Sequence, residues 1–435
     1  MFVRQLIAAG LFACLCGNAW GSGFGISGKS VSGLGSALSG TTVLAEDASV
    51  VYSNPAAMRD LEGREFSALL HAIPADIHFD DRGSTTSGGS SEQVDAVHLV
   101  PGFYYVNTLN DQVSLGLGIY SPFGLGVDYD DNWVGRYHST SSSLRTINIS
   151  PALAFSAGER LNIGVGVDLQ YAEADLQKAV DFGTICVAYE AMGAFPAGTC
   201  ASQGLSPEQN DGSHKLTGRN WTVGYSLGLT YDLSEATRLG MSFHSATRHD
   251  VEGDSEFGGV PTLFSGAFHD SNASLTLMLP EVLSLGMRHT ISPRLELMAD
   301  YTWTRWSRYD ELVVKFTNGL TPVVEEANWK DSSRYAIGMN YRWQTDWLLR
   351  AGILYDQTPI PDAQHLSPRV PDSDKLSLAL GSNVAFSDRL DLDMAVFYTL
   401  PSNPEVDNTD SLGHTLKGDY EVQTTYFSVQ LNWKL

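Results

Sequence analysis

The sequence is 435 residues long and carries 50 Asp and Glu against 27 Lys and Arg, a net charge of −23. So large an acidic excess repels phosphate backbones and argues against nucleic acid as a partner. Mean hydropathy is −0.11, with 42 Gly, 9 Trp, 18 Tyr and 18 Phe, and no apolar run beyond the N-terminus reaches the roughly 20 residues of a membrane helix, which excludes a helical membrane protein.

Residues 1–21 read as a secretory signal peptide. Arg4 precedes the apolar run Leu6–Cys16, and Ala19-Trp20-Gly21 offers small residues at the −3 and −1 cleavage positions, so the exported chain is expected to begin at Ser22. Cys14 and Cys16 would leave with the peptide; a lipoprotein box at Cys14 is the alternative. Loss of Arg4 takes the net charge to −24.

Residues 22–62 are rich in Gly and Ser, with one helical patch expected around Leu44 to Val51. A segment of this size ahead of the first strand fits a hatch that plugs a barrel lumen, or else a flexible periplasmic tail. Its start, Gly23-Phe-Gly-Ile-Ser-Gly28-Lys29-Ser30, matches the letters of a P-loop. It lacks the buried strand before it and the helix after it that phosphate binding needs, so the match is read as accidental.

Residues 63–435 alternate apolar and polar positions. In Leu161-Asn-Ile-Gly-Val-Gly-Val-Asp-Leu-Gln-Tyr171 every odd residue is apolar, and the pattern returns at 376–380, 390–394 and 427–435. Period two gives a strand with unlike faces, one for lipid and one for a polar interior. Fourteen strands are predicted, at 64–79, 94–107, 112–121, 144–156, 161–178, 220–231, 237–250, 272–289, 295–316, 333–343, 347–356, 374–386, 389–399 and 421–435. Six short connections alternate with seven long ones. That alternation is the signature of an all-β, antiparallel up-and-down barrel in an outer membrane, short turns in the periplasm and long loops outside. Trp343 and Trp347, and Tyr301, Trp303, Trp306 and Tyr309 along the ninth strand, read as an interfacial girdle.

Cys186 and Cys200 share one long polar loop of an exported chain and are expected to pair, with two free thiols as the alternative. Such a bridge stabilises a loop by about 3 kcal/mol in the chain-entropy model. Asp128, Asp130 and Asp131 form the densest acidic cluster, without the spacing of a calcium loop. The acidic loops read as solvated, with bridging through divalent cations to anionic surface lipid as a second possibility. No metal-ligand or cofactor pattern occurs. His244 with Ser242 or Ser245 is the nearest approach to a hydrolytic pair, and ordinary wall residues are the preferred reading.

The segments Ser22-Gly-Phe24, Ser32-Gly-Leu-Gly35, Ser39-Gly40, Glu46-Asp47-Ala48 and Asn54-Pro55-Ala56 resemble the N-terminal plug of the FadL family of outer-membrane transporters for long-chain fatty acids and other hydrophobic compounds. The resemblance continues through Leu279-Pro-Glu281, Trp306-Ser307, Trp329-Lys-Asp331 with Arg334, Pro359-Ile-Pro361 and Val370-Pro-Asp-Ser-Asp374. It implies a monomeric fourteen-stranded barrel, a hatch holding Asn54, Pro55 and Ala56, ligand capture between outer loops, an apolar lumen pocket, and exit through the wall at a kinked third strand. Pro122-Phe123-Gly124 is the candidate kink, because Pro removes a ladder donor and Gly accepts bulged geometry. Phe24 matches the family's ligand-contacting N-terminal aromatic, and Lys178 aligns with a basic lumen residue near the ligand carboxylate. A second basic position falls near Glu325 and Glu326, which are acidic here and count against a carboxylate ligand.

The expected function is therefore passive uptake of long-chain fatty acids without a cofactor, across an outer membrane whose lipid and lipopolysaccharide surround the barrel. Uptake of aromatic hydrocarbons or alkanes is the alternative; a lipid hydrolase and an adhesin or phage-receptor surface are further ones. The chain is not expected to be an enzyme.

Overall fold

The structure, a computed structural model, describes residues 22–435; the expected signal peptide, with Cys14 and Cys16, lies outside the described residues. Twenty strand segments join edge to edge into one antiparallel sheet and form fourteen staves. The sheet closes when the first strand, Arg64–Asp81, pairs with the fourteenth, Thr415–Lys434, from Glu65↔Lys434 to Asp81↔Gly418. Closure leaves the ends of the sheet with no free edge.

The fifth strand, Leu161–Asp181, shows how sequence builds the wall. Its outward residues Val165, Val167 and Leu169 are each more than a third exposed. Such residues recur around the barrel, to 63% exposed at Ile337 and 69% at Leu380. An apolar band this extensive is untenable in water and calls for lipid. The inward row reads Gly164, Gly166, Asp168, Gln170, Ala172, Ala174, Leu176, Lys178: room for a plug, then polar groups, then an apolar stretch, then a cation.

Six staves are broken. The third consists of Val113–Tyr120 and Gly124–Asp128, and the ninth of Leu295–Thr304 and Glu311–Phe316 with a short helical turn at Trp306–Arg308 between them. That turn corrects the reading of the ninth strand as a uniform girdle. It rotates the chain so that Trp306, 1% exposed, and Tyr309 point into the lumen, whereas Trp343 and Trp347 do face outward. The sixth strand also begins earlier than expected, at Asp211, because polar residues such as Lys215 and Thr217 continue its ladder with the fifth. Alternation of apolarity cannot mark a strand whose two faces are both wet.

Residues 22–60 fill the barrel rather than hang from it. Leu34, Ala37, Ala48, Ala56 and Met58 are fully buried. Helix forms at Val31–Gly35, capped by Ser30, and at Val50–Ser53, followed by a tight turn of 3-10 helix at Pro55–Asp60. The helical patch expected from Leu44 is displaced because Asp47 accepts the Ser49 amide (2.8 Å) and ties the preceding residues into a turn. Asn54 locks this hatch to the wall: its Nδ2 donates to the carbonyls of Thr42 (2.6 Å) and Leu229 (3.0 Å), and its Oδ1 accepts from Ala56 N. Gly164 and Gly228 admit this close approach, since a Cβ on either would lie 2.3 Å from Ala56 N or 2.1 Å from Asn54 Oδ1.

The outer loops are braced. Cys186 and Cys200 are bonded between the helices Phe182–Ala191 and Thr199–Ser202, over a cluster containing Phe182, Leu205 and Phe264. Nearby, His414 lies between Asp181 (Nε2 to Oδ2, 3.2 Å) and Asp410 (Nδ1 to Oδ2, 2.9 Å). Burial opposes its protonation, but hydrogen bonds and charge from the two carboxylates prevail and lift its pKa to about 9. The raised value stabilises the latch fully below about pH 6.5, the range where a free imidazole is already protonated, and the contribution is lost as pH climbs through about 9. Limited proteolysis of the outer loops should accelerate between pH 6 and pH 9.5, and His414→Gln should remove the difference; equal rates in wild type at both pH values would refute the latch.

Candidate functional site

Two cavities stack inside the barrel, separated by aromatic rings. The upper one is walled by apolar side chains including Leu125, Leu144, Leu176, Leu275 and Leu312, and Phe24 and Trp329 form its floor. It continues past Leu176 and Leu312 into a side chamber lined by Lys178, His214, Phe316 and Val323, with Glu325 and Arg369 common to both. Lys178 reaches this place because every second residue of the fifth strand faces inward.

Arg369 is a lumen cation that sequence reading missed. It extends into the same chamber from the loop before the twelfth strand, Lys375–Ser387, and donates to His138 O (2.8 Å) and Ser139 Oγ (3.2 Å). Among the described residues its buried Nε finds no hydrogen-bond partner, with the Glu325 carboxylate 3.6 Å away. A lone loop arginine carries no periodic signal; its adjacency to Val370-Pro-Asp-Ser-Asp374 was the one clue. Glu325 lines both cavities, and Arg369 brings positive charge beside it from another loop.

Phe24 is 2% exposed, packed edge-on against Trp306 (4.7 Å between centroids) and Tyr309 (5.5 Å), and near Trp329 and Phe123. Its backbone is part of the wall. Gly124 N donates to Phe24 O and Ile26 N to Pro122 O, each at 3.0 Å, making an antiparallel bridge between Gly25 and Phe123. The third strand breaks at that point. Tyr120 pairs with Asn148 and Gly124 with Arg145, so three residues oppose two, a one-residue bulge centred on Pro122. Pairing with the second strand, Ser91–Asn110, stops at Phe103↔Ile119, and Gly124–Asp128 pairs only with the fourth strand, Ser141–Ser156. The result is a gap in the wall beside Pro122 and Phe123, with the start of the hatch laid against it.

Beneath Phe24 lies the second cavity, about 130 Å³. It is more polar, lined by Lys29, Tyr52, Tyr120, Asp168, His244 and Arg334 among others, and it reaches Pro122 and Phe123. His244 donates to or accepts from neighbours other than serine: its Nε2 lies 3.0 Å from Tyr52 O and its Nδ1 3.9 Å from Asp168. Ser245 Oγ accepts Tyr225 N and, among the described residues, Ser242 Oγ has no hydrogen-bond partner, so neither serine is joined to His244 as a nucleophile would be.

Residues 12–435 match the family model described as outer membrane protein transport protein (OMPP1/FadL/TodX). The chain belongs to this family. A long-chain fatty acid transport protein of Escherichia coli K12 is 30% identical over 416 residues, covering 92% of each chain. Outer membrane protein P1 of Haemophilus influenzae is 28% identical over 421 residues, 91% of this chain and 90% of that one. Among solved structures, a Pseudomonas aeruginosa FadL homologue superposes with a TM-score of 0.87 at 23% identity, covering 95% of this chain and 99% of the other. The P. putida toluene transporter TodX gives 0.71 at 19%, covering 90% and 95%. At those identities the structures speak to the fold. This FadL-family member is thus an outer-membrane transport barrel, with Lys178, Arg369, Phe24 and the Pro122 bulge placed along one lumen path.

Proposed function

We propose that this barrel takes up long-chain fatty acids by passive diffusion. The observation that carries the reading is the pair of cations, Lys178 and Arg369, in a side chamber of the apolar cavity whose lining, among the described residues, includes the single carboxylate Glu325. A fatty-acid carboxylate completes that charge balance, and its chain gains about 0.8 kcal/mol for each CH₂ buried against the leucines below. The E. coli relative carries the same activity in its name.

The path then needs Phe24 to leave its aromatic seat. Because Phe24 and Ile26 are hydrogen-bonded to the third strand, an acyl chain that displaces the ring also loosens the strand beside the wall gap. The ligand's differential affinity for the loosened state is the driving force, and no hydrolysed cofactor is required. The protein acts as a monomer, its apolar belt facing lipid and its loops meeting lipopolysaccharide.

Uncharged hydrocarbons are the second reading. The Glu325 carboxylate near Arg369 and the collar of Phe24, Trp306, Trp329 and Tyr309 favour it, and the P. putida neighbour is a toluene transporter. Equilibrium binding of labelled oleate to the purified barrel, with toluene and hexadecane as competitors, separates the two. Saturable oleate binding is expected; binding confined to the hydrocarbons would replace the first reading by the second.

A further inference from the structure

Lys29 is the residue the path leaves unexplained. It belongs to the Gly28-Lys29-Ser30 stretch that mimics a P-loop, yet it sits deep in the lumen, lining the lower cavity. Its ammonium stands 5.1 Å from the centroid of the Tyr52 ring, and among the described residues it makes no hydrogen bond and no ion pair. Its backbone is held, since Lys29 O accepts Tyr104 OH (2.8 Å) and Ser30 caps the helix that follows.

The acids around it are already engaged. Asp356 is bound by Arg334 (2.7 Å) and by Ser22 N (3.1 Å). Asp168 accepts from Tyr120 OH (3.1 Å) and from Ser150, with His244 at 3.9 Å. Asp300 accepts from Gly40 N (2.6 Å) and Thr42 Oγ1 (2.8 Å). Lys29 therefore adds a charge to a confined cavity in which the acid that acts on it electrostatically, Asp356, is already bound by Arg334. Confinement of an unpaired ammonium is costly, and the cost is removed when an anion enters.

We propose that Lys29 is a second carboxylate-binding station. It receives the fatty-acid headgroup after it has left Lys178 and Arg369 and passed Phe24, and holds it beside Pro122 and Phe123 at the mouth of the wall gap. The proposal rests on the fatty-acid reading. Its physical reason is that of conduction in general: a charged group crosses a channel fastest when successive sites each bind it well enough to admit it and weakly enough to release it. Tyr52 and Tyr120 offer the acyl chain flat surfaces beside that station, and the cavity's apolar lining of Ile26, Leu38 and Val282 takes up its length.

The test uses Lys29→Met and Lys29→Gln, which keep the stem, Lys29→Arg, which keeps the charge, and Lys178→Met beside them. Folding of each barrel is checked by heat-modifiable migration. Oleate binding to the purified protein and uptake of labelled oleate and hexadecane by cells with this barrel as their sole transporter of the kind are then measured. Lys29→Met and Lys29→Gln should keep oleate binding at the upper cavity within about twofold, as expected for separate sites, and slow oleate uptake by about fivefold or more. Hexadecane uptake should be unaffected and Lys29→Arg should restore oleate uptake. Normal oleate uptake in both neutral variants, or an equal loss of hexadecane uptake, would overturn the station. Failure of the fatty-acid reading shows differently, as a wild-type barrel that binds and takes up hexadecane but shows no saturable oleate binding.

Discussion

Replacing Lys178 by methionine should weaken oleate binding by about ten- to a hundredfold, the factor that corresponds to loss of one charge-assisted hydrogen bond of about 1.5–3 kcal/mol. Methionine preserves the length and apolar stem of the side chain, so the leucine-lined cavity keeps its shape and the change isolates the ammonium. Hexadecane binding should therefore stay as it is, and Lys178→Arg should retain most of the oleate affinity. Arg369 is the less clean target because it also holds the loop at His138 and Ser139; its removal would combine a lost headgroup contact with a loosened loop. Glu325→Gln should act in the opposite direction and tighten oleate binding by withdrawing a competing carboxylate from Arg369. Titration of displaced fluorescent fatty acid reads all four. Equal oleate affinity in wild type and Lys178→Met would remove the carboxylate from this chamber.

Deleting Pro122 should cut uptake by about tenfold or more while leaving oleate binding in place, because a one-residue bulge is undone by removing one residue. Between the pairs Tyr120↔Asn148 and Gly124↔Arg145 the third strand has one residue more than the fourth. With Pro122 gone the two ladders share one register, the missing amide donor is no longer an obstacle, and Gly124–Asp128 can extend the pairing toward the free side of Ser91–Gly102. That zips the gap. The upper cavity lies above this point and should keep its affinity, so binding and transport come apart in one variant. A Pro122 deletion that transports normally would place the exit elsewhere, through the hatch and into the periplasm.

The wall was legible in the sequence and the interior was only partly so. Residues such as Leu161 to Tyr171 betray a strand by strict alternation, because lipid on one side and a wet lumen on the other impose opposite demands at every step. Alternation with loop-length counting gave fourteen strands, and the closed sheet has fourteen. Extensions such as 211–219, polar on both faces, had no such signal. The hatch was visible through Asn54-Pro55-Ala56 and the phase of its helices was not, since Ser30 and Asp47 side chains rather than periodicity decide where they start. Phe24 and Lys178 came from resemblance and are found along one lumen path. Trp306, Trp329 and Arg369 converge on that path from positions far apart in the chain, and only the closed barrel brings them together.

The first residues of the described chain are the most deeply moored. Ser22 N is held by Asp356 and Gly23 N by Asp372, both inside the lumen, whereas Leu435 is 59% exposed at the opposite terminus. In an exported chain that begins at Ser22, a tag inserted directly ahead of that residue would start within the lumen, beside the aromatic collar. Affinity tags and reporter fusions therefore belong on the C-terminus, and an N-terminal one would act as an unintended plug or an unintended wedge.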